Sequence, residues 1–283
     1  MTPSPLISIV VAVFNGAETL PRCLDSIAGQ TYPNTELIVM DGGSTDGTVS
    51  LLEARAGEIT YWETQPDRGI YHAWNKALTR AKGDWICFLG ADDFFWDQDA
   101  LASLAAHLPP AHSPIRVVYG QVAVLSQSGE VVRHDGRPWP QSRAGLAWTL
   151  TLPHPGLLHH RRLFDDHGLF DETYRIVGDY ELLLRELKPH GPSGEALFVP
   201  RVTVGFGHGG VSNAPRTMAA MLKEISRARA RHGFSRWALP SKVRIKMLLS
   251  AWIYRVAGDS GFRRMADKLR RLRGKPPVWS EHP

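Results

Sequence analysis

Trp85-Ile86-Cys87-Phe88-Leu89 is an unbroken apolar run that ends abruptly in Gly90-Ala91-Asp92-Asp93. A strand buried on both faces has this composition, because neither side of its sheet is left to water. Open α/β sheets bind their ligands just past the carboxyl ends of such strands. Two adjacent carboxylates there are costly to desolvate without a cation or hydrogen-bond donors. The pattern therefore predicts a divalent metal at Asp92 and Asp93, held jointly with a phosphorylated ligand.

Similar runs recur upstream. Leu6–Val13 reads as a first buried strand, Glu36–Met40 as a second and Ile59–Glu63 as a third. Between them lie helical spacings at Leu20, Leu24 and Ile27, from about Thr48 to Ala54, and over Ile70–Ala81. Strands alternating with helices every ~20–30 residues predict βαβ units and a largely parallel sheet. After Asp93 the rhythm changes. Asp97–His107 reads as a helix, and Arg116–Leu125 with Val131–His134 as paired strands around Ser128-Gly129. Residues 135–160, rich in Pro, Trp and His, read mostly as loop with one helix near Ala144–Leu150. Tyr180–Leu187 reads as helix, Ala196–Phe206 as extended, and the remainder as helical to about Arg273.

With 283 residues, 43% hydrophobic and 22% charged, the chain has the composition of a soluble globular protein of one large domain, with room for an appendage. Cys23 and Cys87 both sit in apolar settings, which predicts no disulfide and a reducing, cytoplasmic compartment. Met1-Thr2-Pro3-Ser4-Pro5 lacks a basic leader, and no apolar stretch approaches the ~18 residues of a membrane span. The net charge of +5 conceals a division: residues 216–275 carry seventeen Lys/Arg against three Asp/Glu, leaving the rest acidic.

Two further segments carry chemistry. Asp41-Gly42-Gly43-Ser44-Thr45-Asp46-Gly47 follows a strand and opens a helix. It reads either as a capped strand–helix turn or as a ligand loop, with Asp41 placed to accept from a base N–H or a ribose hydroxyl. Pro66-Asp67-Arg68-Gly69-Ile70-Tyr71 leads into a helix bearing Asn75 and Lys76. Asp67, Arg68, Asn75 and Lys76 could meet an anion or a sugar, or simply cap and solvate the helix.

Taken in order, Val13-Phe14-Asn15, Asp41 to Thr48, Pro66 to Tyr71 with Asn75-Lys76, and Leu89-Gly90-Ala91-Asp92-Asp93 resemble the motifs of family 2 glycosyltransferases. The likeness continues more loosely through His154, Gly168-Leu169-Phe170-Asp171-Glu172 and Gly178-Asp179-Tyr180-Glu181 to Gly209-Gly210-Val211-Ser212. Its closest flavour is the bacterial enzymes that build surface polysaccharides. The resemblance implies a GT-A fold, a mixed, mainly parallel α/β sheet flanked by helices. It also implies a nucleotide-sugar donor, Mg²⁺ or Mn²⁺, and inversion at the anomeric carbon. It places Val13 and Asn15 at the nucleotide-binding first strand, Asp41 on the base, Asp92 near the ribose or donor sugar, Asp93 on the metal, and Asp179 as general base. The strict Asp-x-Asp form is absent, since position 91 is alanine, so Asp93 alone could carry the metal. A GT-A domain is expected over 1–214 (1–95 nucleotide-binding, 96–214 acceptor-binding), followed by a basic helical extension over 215–283.

The chemistry is consistent with this. Expelling a nucleoside diphosphate needs charge stabilisation on the leaving oxygens, which a hard cation supplies. A base must also take the acceptor hydroxyl's proton from the opposite side of the sugar. Asp179, at a helix entrance far from Asp93 in sequence, suits that part, although it also reads as a core-facing helix cap. Gly205-Phe206-Gly207-His208-Gly209-Gly210 satisfies a dinucleotide-loop pattern but lacks a following strand, and reads as a flexible active-site loop. His154, His159, His160 and His167 match no standard zinc spacing and read as ordinary polar residues, with His154 a candidate for the acceptor pocket. The basic tail interleaves Lys/Arg with Leu248, Leu249, Trp252, Ile253, Tyr254 and Phe262, which suits an anionic membrane surface or a solvated helix packed on the body. No nucleic-acid motif accompanies that charge. A lipid-linked glycan acceptor is expected, at the inner membrane face. A nucleotide-sugar hydrolase or a non-catalytic sugar-nucleotide-binding protein are the alternatives.

Overall fold

A computed structural model describes residues 4–110, 112–126, 128–187, 194–207, 215–234, 241–272 and 274. The first half alternates as expected: β1 (Ile7–Val13), α1 (Leu20–Ala28), β2 (Thr35–Asp41), α2 (Thr48–Ala54), β3 (Tyr61–Thr64), α3 (Ile70–Leu78) and β4 (Trp85–Gly90). Then come β5 (Phe94–Phe95), α4 (Ala100–Ala105), β6 (Val117–Leu125), β7 (Val131–Asp135), α5 (Trp139–Leu146), β8 (Leu158–His160) and α6 (Arg161–His167). The described chain closes with α7 (Gly178–Leu187), β9 (Ala196–Gly207), α8 (Met218–Arg231) and α9 (Ser241–Arg271), the last bent at Gly258.

The strands form one sheet in the order β3-β2-β1-β4-β8-β6-β9-β5, with β7 on the flank of β6. β3, β2, β1 and β4 are mutually parallel, and β8 joins them antiparallel to the second half. Register brings the functional ends together, because Val13 pairs with Asp41, Asp41 with Thr64 and Ala12 with Gly90. Each face carries its own core. On β4, Ile86 and Phe88 pack with Tyr71 and Trp74 of α3, Phe164 of α6 and Leu183 of α7. Trp85, Cys87 and Leu89 point the other way, to Leu20 and Leu24 of α1 and Leu101 of α4. Burial on both faces is why these strands read as continuous apolar runs rather than alternating ones. Each such side chain contributes roughly 1.5–3 kcal/mol by leaving water.

Residues 135–160 are mostly loop, as expected, and end in the short β8, the strand that links the two halves of the sheet. Two expectations are corrected. The helix in that region lies at Trp139–Leu146 rather than at 144–150, starting at a proline-led turn. The expected boundary at 214/215 does not set α8 apart either, because Leu222, Ile225 and Ala228 share a core cluster with Tyr180 and Leu183. α9 is different: Ile245, Leu248, Leu249, Trp252 and Val256 are all exposed on it. Among the described residues, no helix is long and apolar enough to cross a membrane.

Candidate active site

The carboxyl edge of the parallel strands is laced by two loops. Asn15 adopts a left-handed conformation (φ 50°), which turns its backbone N–H to Ser44 Oγ (2.7 Å) while its side-chain oxygen accepts from Thr45 N (2.9 Å). Gly16 N donates to Thr48 Oγ1 (3.0 Å) and Ala17 N to Asp46 Oδ2 (3.0 Å). Val13 supplies its carbonyl to Gly42 N (2.8 Å). Val13 and Asn15 therefore stand at the end of the first strand, as expected. The Asp41 carboxylate is fully buried and accepts from Gly43 N (3.1 Å), Ser44 N (3.0 Å), Thr64 Oγ1 (2.5 Å) and Ser44 Oγ. Three of these donors converge on Oδ2 while Oδ1 takes Ser44 Oγ, so Asp41 organises the loop chiefly through one oxygen. Beside it, Phe14 is 66% exposed and lies against Gly42. This open aromatic face carried no signal in the sequence beyond an apolar residue continuing past the strand.

Asp92 and Asp93 follow β4 at the same edge. Asp93 is 3% exposed; its Oδ2 accepts from Gly90 N (2.7 Å) and its buried Oδ1 has no hydrogen-bond partner. Burial, reinforced by the charge of Asp92, pushes its carboxyl well above the usual carboxylate range. Both carboxylates crowd Gly90: a side-chain carbon there would meet Asp92 Oδ1 at 2.8 Å and Asp93 Oδ2 at 3.1 Å. A larger residue at 90 would require the carboxylates to shift. The more open Asp92 also borders Gly207 at the end of β9, and its carbonyl accepts from Arg22 (3.3 Å). An unpartnered buried oxygen beside a second carboxylate suits a cation, which would supply the missing charge to both. Among the described residues no group of three or more potential metal-ligating side chains occurs. The pair would need further ligands from a bound phosphate or water.

The 66–77 element is a junction, and two of its expected ligand contacts are taken by the protein. Asn75 is buried and clips Phe170, with Nδ2 donating to its carbonyl (2.9 Å) and Oδ1 accepting from its N–H (3.0 Å). Its amide is spent inside the fold, so it does not meet the donor. Lys76 sits between Glu63 (2.8 Å) and Asp67 (3.0 Å), which neutralise it. Arg68, largely exposed, reaches Glu172 (2.7 Å) and so ties the loop before α3 to the segment before α7. Asp67 also contacts His72 Nδ1 (3.0 Å) and turns its other oxygen toward Gly42, at the mouth of the loop.

Asp179 lies in the first turn of α7, half-buried, and its Oδ1 accepts from Tyr71 Oη (3.1 Å). Tyr71 begins α3, the helix that leaves the carboxyl edge after β3, so this contact brings Asp179 to the same edge. Burial raises its carboxyl to about 6, while the Tyr180 N–H and Tyr71 hydroxyl partly hold it down. Burial and the Asp179 charge also keep the Tyr71 hydroxyl protonated, hence a donor. In the sequence Tyr71 closes the 66–71 motif and has no role of its own.

The remaining motifs resolve differently. His154 and His159 are not ordinary polar residues: His159 is wholly buried in β8, with neither ring nitrogen hydrogen-bonded. His154 is stacked on Trp74 at 5.0 Å between ring centroids, with its Nε2 unpartnered. The glycine pattern begins as strand, where Gly205 leaves room for the Phe94 ring, which a side-chain carbon would approach to 2.2 Å. Residues 208–214, including His208, lie outside those described.

This sheet, with its loops gathered at one carboxyl edge, is the GT-A architecture of glycosyltransferases. Two solved structures share it. One is the mannosyltransferase PcManGT from Pyrobaculum calidifontis in complex with GDP-Man and Mn²⁺, with TM-score 0.61 and 20% identity over 98% of this chain and 78% of that one. The other is S. aureus TarS 1-349 in complex with UDP-GlcNAc, with TM-score 0.59 and 18% identity over 93% and 83% of the respective chains. The chain belongs to glycosyl transferase family 2, whose profile matches residues 8–158. A PGL/p-HBAD biosynthesis glycosyltransferase of Mycobacterium bovis is 35% identical over 185 residues, covering 64% of this chain and 70% of that protein. Asp179 lies beyond the stretch the family profile matches.

Proposed function

We propose that this glycosyltransferase moves a hexosyl or deoxyhexosyl group from a nucleotide-sugar to a hydroxyl of a glycan acceptor, with inversion. The observation that carries the reading is the Tyr71–Asp179 contact, which sets a carboxylate titrating near 6 at the edge where Asp92 and Asp93 crowd Gly90. A group with that affinity is mostly ionised at neutral pH and still basic enough to accept a proton as the acceptor oxygen attacks. Tyr71 Oη fixes the orientation of the carboxylate, leaving its other oxygen for the acceptor hydroxyl. The nucleotide lies along 13–17 and 41–48. There the Asp41-centred loop offers backbone groups and Phe14 offers a flat face of the kind on which bases stack. Asp67 stands at the loop's mouth, and Arg68 borders the acceptor side.

Asp92 and Asp93 would hold a divalent cation, Mg²⁺ or Mn²⁺, which would neutralise charge on the departing diphosphate. Asp92 is the accessible ligand, and the free Oδ1 of Asp93 is the second. The ligands named for the two solved relatives, UDP-GlcNAc in one and GDP-Man with Mn²⁺ in the other, support a nucleotide-sugar donor and a metal. The acceptor is a lipid-linked glycan of bacterial surface polysaccharide synthesis, and the enzyme works in the cytoplasm on the inner membrane face. Support for that setting comes from α9: Ile245, Leu248, Leu249, Trp252 and Val256 recur at helical spacing on an exposed face, among Lys and Arg side by side in sequence. Such a helix suits an anionic lipid surface by apolar insertion and charge complementarity.

The test compares Asp179→Asn with Asp93→Asn and Asp92→Asn. Asp179→Asn should retain Mn²⁺-dependent thermal stabilisation by the donor nucleotide while losing transfer, and the other two should lose both. Intact transfer in Asp179→Asn would remove the base from this account.

A further inference from the structure

α8 reaches back to the segment that delivers Asp179. The carboxylate of Glu224, near the middle of α8, accepts from three consecutive backbone N–H groups: Arg175 (2.9 Å), Ile176 (2.9 Å) and Val177 (3.1 Å). Consecutive N–H groups converging on one anion form a small backbone concavity, and hydrogen bonds to an ionised acceptor are stronger than neutral ones. The last of the three belongs to the residue immediately before α7. The same stretch of α8 and its end make further contacts with this segment. Arg227 bonds Thr173 Oγ1 (3.2 Å) and lies over the Tyr174 ring (3.7 Å), Arg231 pairs with Asp171 (2.5 Å), and His232 meets Glu181 (2.9 Å). Residues 171–181 are therefore held by α8 on one side and by Tyr71 and Asn75 of α3 on the other, Asn75 through Glu172 (3.1 Å).

We infer that Glu224 is a positioning residue for sugar transfer: by fastening the 175–177 turn it fixes where Asp179 stands against Tyr71. This rests on Asp179 being the base. Geometry makes the link short, since a shift of the turn moves α7's first residues directly. A displacement of about 1 Å at a reacting group can lower turnover by up to about a hundredfold. Glu224 also has an electrostatic part. Tyr71 from α3 and Glu224 from α8 are the titratable groups that bear on Asp179, while Glu181, on its own helix, is turned to Arg185 and His232. The Glu224 charge disfavours a second carboxylate nearby, so its removal makes Asp179 ionise at lower pH.

The experiment measures kcat, donor KM and the pH profile of kcat/KM for full-length wild type, Glu224→Gln, Glu224→Asp and Asp179→Asn. Glu224→Gln should lose about tenfold in kcat with donor KM within about twofold, and its acid limb should move to lower pH. Glu224→Asp keeps the charge on a shorter arm, so kcat should fall while the acid limb stays with wild type. A role confined to stability would leave the acid limb of both variants unmoved. Wild-type kcat and an unmoved limb in folded Glu224→Gln overturn the inference. Should that variant not fold, wild-type kcat in Glu224→Asp overturns it and a fallen kcat supports it. Asp179→Asn separates the failures: transfer surviving there removes the base reading and this inference together. Transfer lost there but untouched in the Glu224 variants removes only the inference.

Discussion

Acid should loosen this fold through two histidines, and the structure gives the size. His159 is wholly buried in β8, edge-on to Phe88 at 5.4 Å and near Phe164 at 5.8 Å, with both nitrogens unpartnered. Burial holds its affinity for a proton well below the ordinary 6.5, and that of the neighbouring His154 down to about 3. In the unfolded chain each titrates near 6.5. Between the depressed folded value and 6.5 the unfolded state binds the extra proton, so stability falls as pH falls through that window. The slope is about 1.4 kcal/mol per pH unit for each histidine, or about 2 kcal/mol each between pH 7 and pH 5. Asp179, below about 6, and Asp93, whose carboxyl is also raised, act with the opposite sign, because the folded state takes their protons first. A variant comparison cancels these contributions. Urea melts of wild type and His159→Phe at pH 7 and pH 5 should give a stability difference that shifts by about 2 kcal/mol in favour of the variant at pH 5. Parallel pH dependences would refute the claim that His159 is buried neutral.

Three further outcomes follow from the same structure. Asn75→Leu should cost about 1–3 kcal/mol in stability, because both backbone groups of Phe170 lose their partner, while donor KM stays within about twofold; differential denaturation and donor kinetics check both. Asp41→Asn puts an amide NH₂ among donors, so the 41–48 loop should loosen and nucleotide affinity should drop at least about tenfold by calorimetry. On flotation, the full-length protein should travel with anionic vesicles and not with zwitterionic ones. Leu249→Glu with Trp252→Glu should abolish this, whereas a dimer dissociated by the same changes would mean that the α9 face meets a second copy.

The parallel half of the fold was readable in the sequence because β1, β2 and β4 are buried on both faces, so their runs are apolar throughout. β8 was not. It has three residues, two of them histidines, and its strand character comes from β4 and β6 on either side rather than from its own composition. At the site, residue types and positions were readable while hydrogen-bond partners were not. Asp41, Asn75 and Lys76 stand at the expected edge, but the partners they bond, Thr64, Phe170 and Glu63, are each distant in sequence and carried no signal of the contact. Glu224 had one available signal: it is among the three acidic residues of the strongly basic 216–275 segment. An isolated carboxylate in such surroundings invites the question of what it holds, and only the fold brings it to residues 175–177.

The stereochemistry of transfer tests the central claim most directly. On the proposed reading, a base at Asp179 opposite a metal-held leaving group at Asp92 and Asp93 would permit one displacement at the anomeric carbon. Proton NMR of the first-formed product should therefore show the configuration opposite to that of the donor. A product that retains the donor's configuration would contradict the assignment of Asp179 and the single-step transfer built on it.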